Sequence, residues 1–148
     1  KRTSAIEFGA THAATSIGDA FDIVTELTLG RMCDVAIMTM GVGDGRLLSD
    51  ALALVGKGGR VVVTNAHPEH ETSATLSLAD LTIMEKSVLG SCFGSASFRA
   101  DVPKLIGLYR AGLLELDKLV TRTYALEDVN QGYADMHAGK NLRGVLVM

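Results

Sequence analysis

Four stretches of this chain carry residue types that could do chemistry. Met40-Gly41-Val42-Gly43-Asp44-Gly45 lies directly after a β-branched run and directly before an amphipathic one, where a phosphate-cradling loop would sit. The third glycine of a G-x-G-x-x-G fingerprint would fall at position 46, which is Arg46, so the spacing fails. The glycines then serve either a tight strand-to-helix turn or a loop lining a ligand groove at the carboxyl ends of the strands. His67-x-x-His70, with Glu69 and Glu71 beside it, has metal-ligating residue types. On a loop an i,i+3 pair has no fixed geometry and no third ligand is evident, so a solvated loop is the plainer reading. Ser91 and Cys92 lack a G-x-S-x-G elbow or an inferable histidine partner, which leaves Cys92 as a core or pocket-lining residue. Arg143 precedes a terminal apolar run beside Gly139, Lys140 and Gly144. A guanidinium there could clamp a phosphate through two parallel hydrogen bonds, or be an ordinary solvated charge.

Alternating elements must position these residues. Residues 1–8 read as the end of a helix stopped by Gly9, and residues 11–13 as a short strand. Ser16 can cap a helix whose apolar positions Ile17, Ala20, Phe21, Val24 and Leu27 recur at helical spacing up to Gly30. Residues 34–39 read as a buried strand, in which Val35, Ala36, Ile37 and Met38 run apolar without alternation, as parallel strands covered on both faces do. A helix over 46–55, a turn through Gly56, Gly58 and Gly59, and a strand over 60–64 follow. Residues 66–73 read as a polar loop, 74–78 as a weak strand, 79–85 as a short helix and 87–92 as a strand. Asp101 and Pro103 open a helix that Gly112 closes. Extended residues 119–124, a helix over 127–137 closed by Gly139, and a strand over 144–148 complete the chain. Repeated β-helix-β steps predict an α/β fold with a parallel sheet.

At 148 residues the chain fits one domain. Hydrophobic residues at 47% and charged residues at 21% are too apolar for a disordered segment. A net charge of −3 argues against a nucleic-acid or anionic-membrane partner, and no apolar run is long enough to span a bilayer. Cys33 and Cys92 are the two cysteines. They are far apart and outside any CxxC, so neither a disulfide framework nor a structural zinc site is expected. The reading is thiols used as small core residues in a reducing compartment, the cytoplasm.

Taken in order, several stretches resemble one family. They are Glu7-Phe8-Gly9-Ala10-Thr11-His12, Thr39-Met40-Gly41-Val42-Gly43, Lys57-Gly58-Gly59-Arg60-Val61-Val62-Val63, Leu78 to Leu81, Glu85-Lys86, Gly90-Ser91-Cys92-Phe93-Gly94, Asp101-Val102-Pro103-Lys104-Leu105 and Gly139-Lys140-Asn141-Leu142-Arg143-Gly144-Val145. Each is weak alone, and their collinearity is specific. The sequence is similar to the C-terminal portion of zinc-containing medium-chain alcohol dehydrogenases. Met40 to Gly43, Thr64 to Pro68 and Gly132 to Met136 further resemble the actinobacterial members that hold nicotinamide tightly and depend on a nitroso acceptor.

The resemblance implies a Rossmann-like, doubly wound parallel sheet, truncated on its N-terminal side, with residues 1–148 as a partial nucleotide-binding domain. The catalytic zinc domain, the Gly-rich loop and the first two strands would precede Lys1. It implies NAD as cofactor and zinc in the intact enzyme, with ligands outside this chain. Lys1 would lie beside the adenosine ribose, and Met40 would pack near the adenine side. Asn65 would line the nicotinamide ribose. Ser91, Cys92 and Phe93 would supply the backbone that binds the carboxamide, and Arg143 would clamp the pyrophosphate. The activity implied is hydride transfer between a small alcohol or aldehyde and nicotinamide, with zinc as Lewis acid. The fragment alone would be inactive. A homodimer or higher homo-oligomer would form through an edge strand near Ala74 and Leu78. A thiol-dependent formaldehyde dehydrogenase, a zinc-free quinone reductase and a non-enzymatic α/β binding module are the alternatives. The acidic residue that decides NAD against NADP would also lie upstream.

Overall fold

A computed structural model describes residues 2–148, so the expectation for Lys1 falls outside the described residues. Six helices and five strands follow one another along the described chain: α1 (Arg2–Glu7), α2 (Ile17–Leu27), β1 (Cys33–Met38), α3 (Leu47–Ala53), β2 (Val55–Val63), α4 (Leu78–Ile83), β3 (Ser87–Gly90), α5 (Phe98–Arg110), β4 (Val120–Ala125), α6 (Val129–His137) and β5 (Arg143–Val147). They group into two compact units, His12–Ala96 in one and residues 2–11 with Ser97–Met148 in the other, where composition alone suggested one domain.

In the first unit β1, β2 and β3 form a parallel sheet with β2 in the middle. Each connection carries a helix, α3 and then α4, so this is the β-helix-β alternation expected of a Rossmann-like α/β sheet. Val61 in β2 is wholly buried, and Met38, Ala51, Leu52 and Val55 complete the core. Leu48, Val63, Leu81 and Val88 pack around it from four different elements. Ser16 caps α2 as its position suggested, with its hydroxyl accepting from the Asp19 amide at 3.0 Å. Gly9, Gly30, Gly112 and Gly139 take positive φ where helices stop.

Lys86 is a buried cation, its side chain 5% exposed. It donates to the Leu52 carbonyl at 3.0 Å, near the end of α3, and to Asp80 at 2.9 Å on α4. One ammonium thus joins a carbonyl of the last turn of α3 and a carboxylate of α4.

In the second unit β4 and β5 form a parallel pair, with α6 in the connection between them.

Three sequence expectations are corrected. Residues 11–13 carry no strand. An extended segment becomes a strand only against a neighbour's ladder, and among the described residues β1 pairs with β2 alone. Residues 74–77 are likewise not a strand, and Leu78 already belongs to α4, capped by Ser77 accepting from the Asp80 amide at 3.1 Å. The dimerisation strand expected near Ala74 and Leu78 is therefore absent. Residues 55–59, read as a helix end and a turn, are part of β2. Cys33 pairs with Val55 and Val35 with Arg60, so β2 advances five residues while β1 advances two, and the glycines bulge out between them.

Two predictions follow from this packing. Lys86→Met removes the hydrogen bonds to Asp80 and to the Leu52 carbonyl, and is expected to cost about 1 kcal/mol in urea unfolding; an unchanged midpoint would contradict the role given to Lys86. β1 is an edge strand whose Ile37 is 60% exposed. The 148-residue chain is expected to self-associate in sedimentation velocity, and Ile37→Lys to reduce that association.

Candidate functional site

The carboxyl ends of β1, β2 and β3 lie side by side, because the three strands are parallel and adjacent. Ligands in open α/β sheets bind at this edge. Met40 follows β1, Asn65 follows β2, and Ser91, Cys92 and Phe93 follow β3. The structure thus brings five of the expected cofactor residues to one edge of one sheet. Arg143 is in the other unit, at the first position of β5.

The ladder continues past the strand ends. The Thr64 amide and hydroxyl both donate to the Met38 carbonyl, at 3.2 and 2.8 Å. The Gly43 amide donates to the Ala66 carbonyl at 2.8 Å, beside an isolated parallel bridge between Val42 and Ala66. The Ser91 amide donates to the Val63 carbonyl at 2.9 Å. These bonds hold the three loops against one another rather than leaving them free.

Two of the glycines after β1, Gly43 and Gly45, are explained by proximity. Gly41, Gly43 and Gly45 do not take positive φ. A Cβ on Gly43 would stand 1.8 Å from Asn65 Nδ2 and 2.3 Å from His67 Cε1, so only glycine leaves room for those side chains. The Gly45 amide donates to Glu71 at 2.6 Å. His67 Nδ1 lies 3.0 Å from the other Glu71 oxygen, and His67 Nε2 lies 2.8 Å from Asn65 Nδ2. Glu71 thus orients His67, and with Nδ1–H given to the carboxylate, Nε2 accepts from the Asn65 amide. His67 was read as part of a solvated loop, yet it belongs to this network. The signal for it was the i,i+4 spacing of His67 and Glu71, obscured by the more conspicuous His67-x-x-His70. Among the described residues no cluster of three His, Cys, Asp or Glu side chains could hold a metal ion.

Asn65 Oδ1 is buried without a hydrogen-bond partner. A buried carbonyl oxygen in that condition costs free energy until a donor reaches it. Phe93, Gly94 and Ser95 have φ values of 49°, 70° and 54°. Two non-glycine residues held in the left-handed region are a strained segment of the kind found at ligand clamps. Cys92 is exposed and Cys33 half-buried against the core, so the core-thiol reading holds for Cys33 and not for Cys92. β3 ends at Gly90, two residues too early to carry Cys92 inward. The hydrogen bond and charge of Arg46 hold the Asp44 carboxyl down to about 2.

The zinc-binding dehydrogenase family model matches residues 1–110. The chain belongs to that family. It is 45% identical over 147 residues to the NDMA-dependent alcohol dehydrogenase of Amycolatopsis methanolica, covering 99% of this chain and 40% of that protein. It is 42% identical over 146 residues to alcohol dehydrogenase B of Mycobacterium tuberculosis, covering 99% and 39%. Among solved structures it superposes on an alcohol dehydrogenase zinc-binding domain protein from Burkholderia ambifaria with a TM-score of 0.88 at 30% identity, covering 99% of this chain and 39% of that one. The chain spans about two fifths of the length of these relatives.

Two measurements test the site geometry. Gly43→Ala must displace Asn65 and His67, and is expected to destabilise the first unit by about 1–3 kcal/mol; wild-type stability would contradict the close approach. The Gly45 amide, followed by the hydrogen bond to His67, lowers the Glu71 carboxyl below its ordinary 4.5. A depressed carboxylate contributes its stability above the unfolded value, and that contribution is lost as pH falls through the lower folded value. The Gly45 amide resonance is expected to titrate with a midpoint below 4.5, and a midpoint at or above it would contradict the bond.

Proposed function

We propose that the whole protein is an NAD-dependent alcohol dehydrogenase and that these residues serve its cofactor. The observation that carries this reading is the row of Met40, Asn65 and Ser91 to Phe93 along the carboxyl edge of three parallel strands, in a chain of this family. When bound, NAD accepts a hydride from the alcohol carbon, or as NADH returns it to an aldehyde.

Each residue has a role suited to its surroundings. Met40, partly exposed after β1, offers an apolar shelf to the adenine side. Asn65 Oδ1, buried and unpartnered, is an acceptor for a ribose hydroxyl. The Ser91 to Phe93 main chain, leading into the left-handed turn, presents its backbone to the nicotinamide carboxamide. Arg143 pairs its guanidinium with pyrophosphate oxygens. Zinc, as Lewis acid for the alcohol, belongs to parts of the whole protein beyond these residues, and the 148 residues alone are inactive. The substrate is a small alcohol or aldehyde. Relatives named as alcohol dehydrogenases over 99% of the chain support this over the other superfamily chemistries. The protein works in the cytoplasm as a homodimer or higher homo-oligomer. Neither nucleic acid nor membrane is a partner, which the net charge of −3 supports; among the described residues no helix is long and apolar enough to cross a membrane.

The test is steady-state kinetics of the whole protein with zinc present, using a primary alcohol. Turnover linked to NAD reduction is expected, internal or with an added acceptor. Asn65→Leu is expected to weaken NAD binding about tenfold, as loss of one well-placed polar contact does. A zinc-loaded, folded protein that neither binds nor reduces NAD would overturn the reading.

A further inference from the structure

The second unit contains a buried carboxylate for which the cofactor assignment gives no role. Asp135 on α6 is 1% exposed. One oxygen accepts from Arg122 at 2.6 Å and from the Tyr124 hydroxyl at 3.0 Å. The other accepts from Gln131 at 2.9 Å and faces the Lys140 ammonium at 3.3 Å. The cations that face it, Arg122 and Lys140, are 54% and 61% exposed, and ion pairs with solvated partners add little to stability, so stability alone is a poor account of this arrangement.

The network leads to Arg143. Asn141 donates its side-chain amide to the Tyr124 oxygen at 2.9 Å, and Tyr124 in turn donates to Asp135. The chain is directional, each donor aligned by the next acceptor. The Leu142 amide donates to Thr121 Oγ1 at 2.9 Å. In the ladder Val120 pairs with Arg143 and Arg122 with Gly144, so Thr121 is an extra residue in β4 opposite the start of β5. A bulge of this kind re-aims the neighbouring side chain. Gly144 seats the other side: a Cβ there would stand 2.8 Å from Tyr124 Cε2 and 3.2 Å from Asn141 Nδ2. Arg143 is thus gripped on both flanks by residues tied to β4.

Charge partition points the same way. Arg122 and Lys140 are both tethered to Asp135, and Arg122 also lies over the Tyr124 ring, 5.7 Å from its centroid. Among the described residues no carboxylate pairs with Arg143. It borders a cavity of about 250 Å³ lined also by Tyr124, Tyr133, Met136 and Asn141. We propose that Asp135, acting through Tyr124 and Asn141, is a positioning residue that aims Arg143 at a phosphate-bearing ligand. This rests on Arg143 being the phosphate clamp.

The experiment measures binding of ADP and of adenosine to the whole protein. Tyr124→Phe is the main variant, because it removes the hydroxyl that joins Asp135 to Asn141 and keeps the ring; Asp135→Asn is the harsher companion. Arg143→Ala is expected to weaken ADP about tenfold or more and leave adenosine unchanged. Tyr124→Phe is expected to weaken ADP about three- to tenfold with adenosine unchanged, and to add nothing in the double variant with Arg143→Ala. Additive losses, a silent Tyr124→Phe beside a damaging Arg143→Ala, or equal weakening of ADP and adenosine would overturn the positioning role. If ADP binds and Arg143→Ala leaves it unchanged, the clamp assignment fails and the positioning role falls with it. If wild-type protein binds neither ligand, the dinucleotide reading itself fails.

Discussion

β2 is hydrogen-bonded on both sides, and the order of the site depends on that. Val61 within it has no exposure and pairs in parallel with Ala36 of β1 and Val88 of β3. Parallel pairing of three adjacent strands brings three carboxyl ends to one edge. The bonds from Thr64 to Met38, from Gly43 to Ala66 and from Ser91 to Val63 then carry that order into the loops. Without β2 in the middle, nothing would bring Met40, Asn65 and Ser91, far apart in sequence, to one edge. The core of Met38, Ala51, Leu52, Val55 and Val61 backs the same strand. Packing and site therefore have a common support.

Buried charge is handled the same way in both units. Lys86 is surrounded by acceptors and Asp135 by donors. Burial pushes the Asp135 carboxyl upward, but hydrogen bonds from Tyr124, Gln131 and Lys140 outweigh it and hold the group below the ordinary carboxylate value. The anion is thus the resident form at neutral pH. An unpaired charge in either place would be costly. Asn65 Oδ1 is the contrasting case: a buried acceptor left without a donor at the edge where a ligand is expected. Polar satisfaction away from the edge and its absence at the edge fit a scaffold built around a binding site.

Much of this was legible in the residues. Ser16 with Asp19, the glycine stops and the apolar runs of β1 and β2 are local signals, and the structure follows them as to helix caps and strands. The cover on both faces expected of β1 is not there, since Val35 and Ile37 are 43% and 60% exposed on an edge strand. The collinear motifs pointed to the zinc-binding dehydrogenases, and the family match bears that out. What misled was non-local. Residues 11–13 and 74–77 have strand-like composition, but a strand needs a neighbour that composition does not reveal. Gly43 suggested a turn because glycine usually signals φ freedom, whereas here it makes room for Asn65 and His67. Asp135 sits in an unremarkable helical stretch. Only the i,i+4 spacing to Gln131 hinted at pairing, and Tyr124 reaches it from another strand.

The central claim is that the carboxyl edge of β1, β2 and β3 holds a dinucleotide. Hydrogen exchange of the whole protein with and without NAD tests it most directly. The account predicts slower exchange in the three segments that follow these strands, around Met40 to Gly45, Thr64 to Glu71 and Ser91 to Ala96, with the core of β2 unchanged. NAD binding that leaves those three segments as fast as before, and slows others instead, would contradict it.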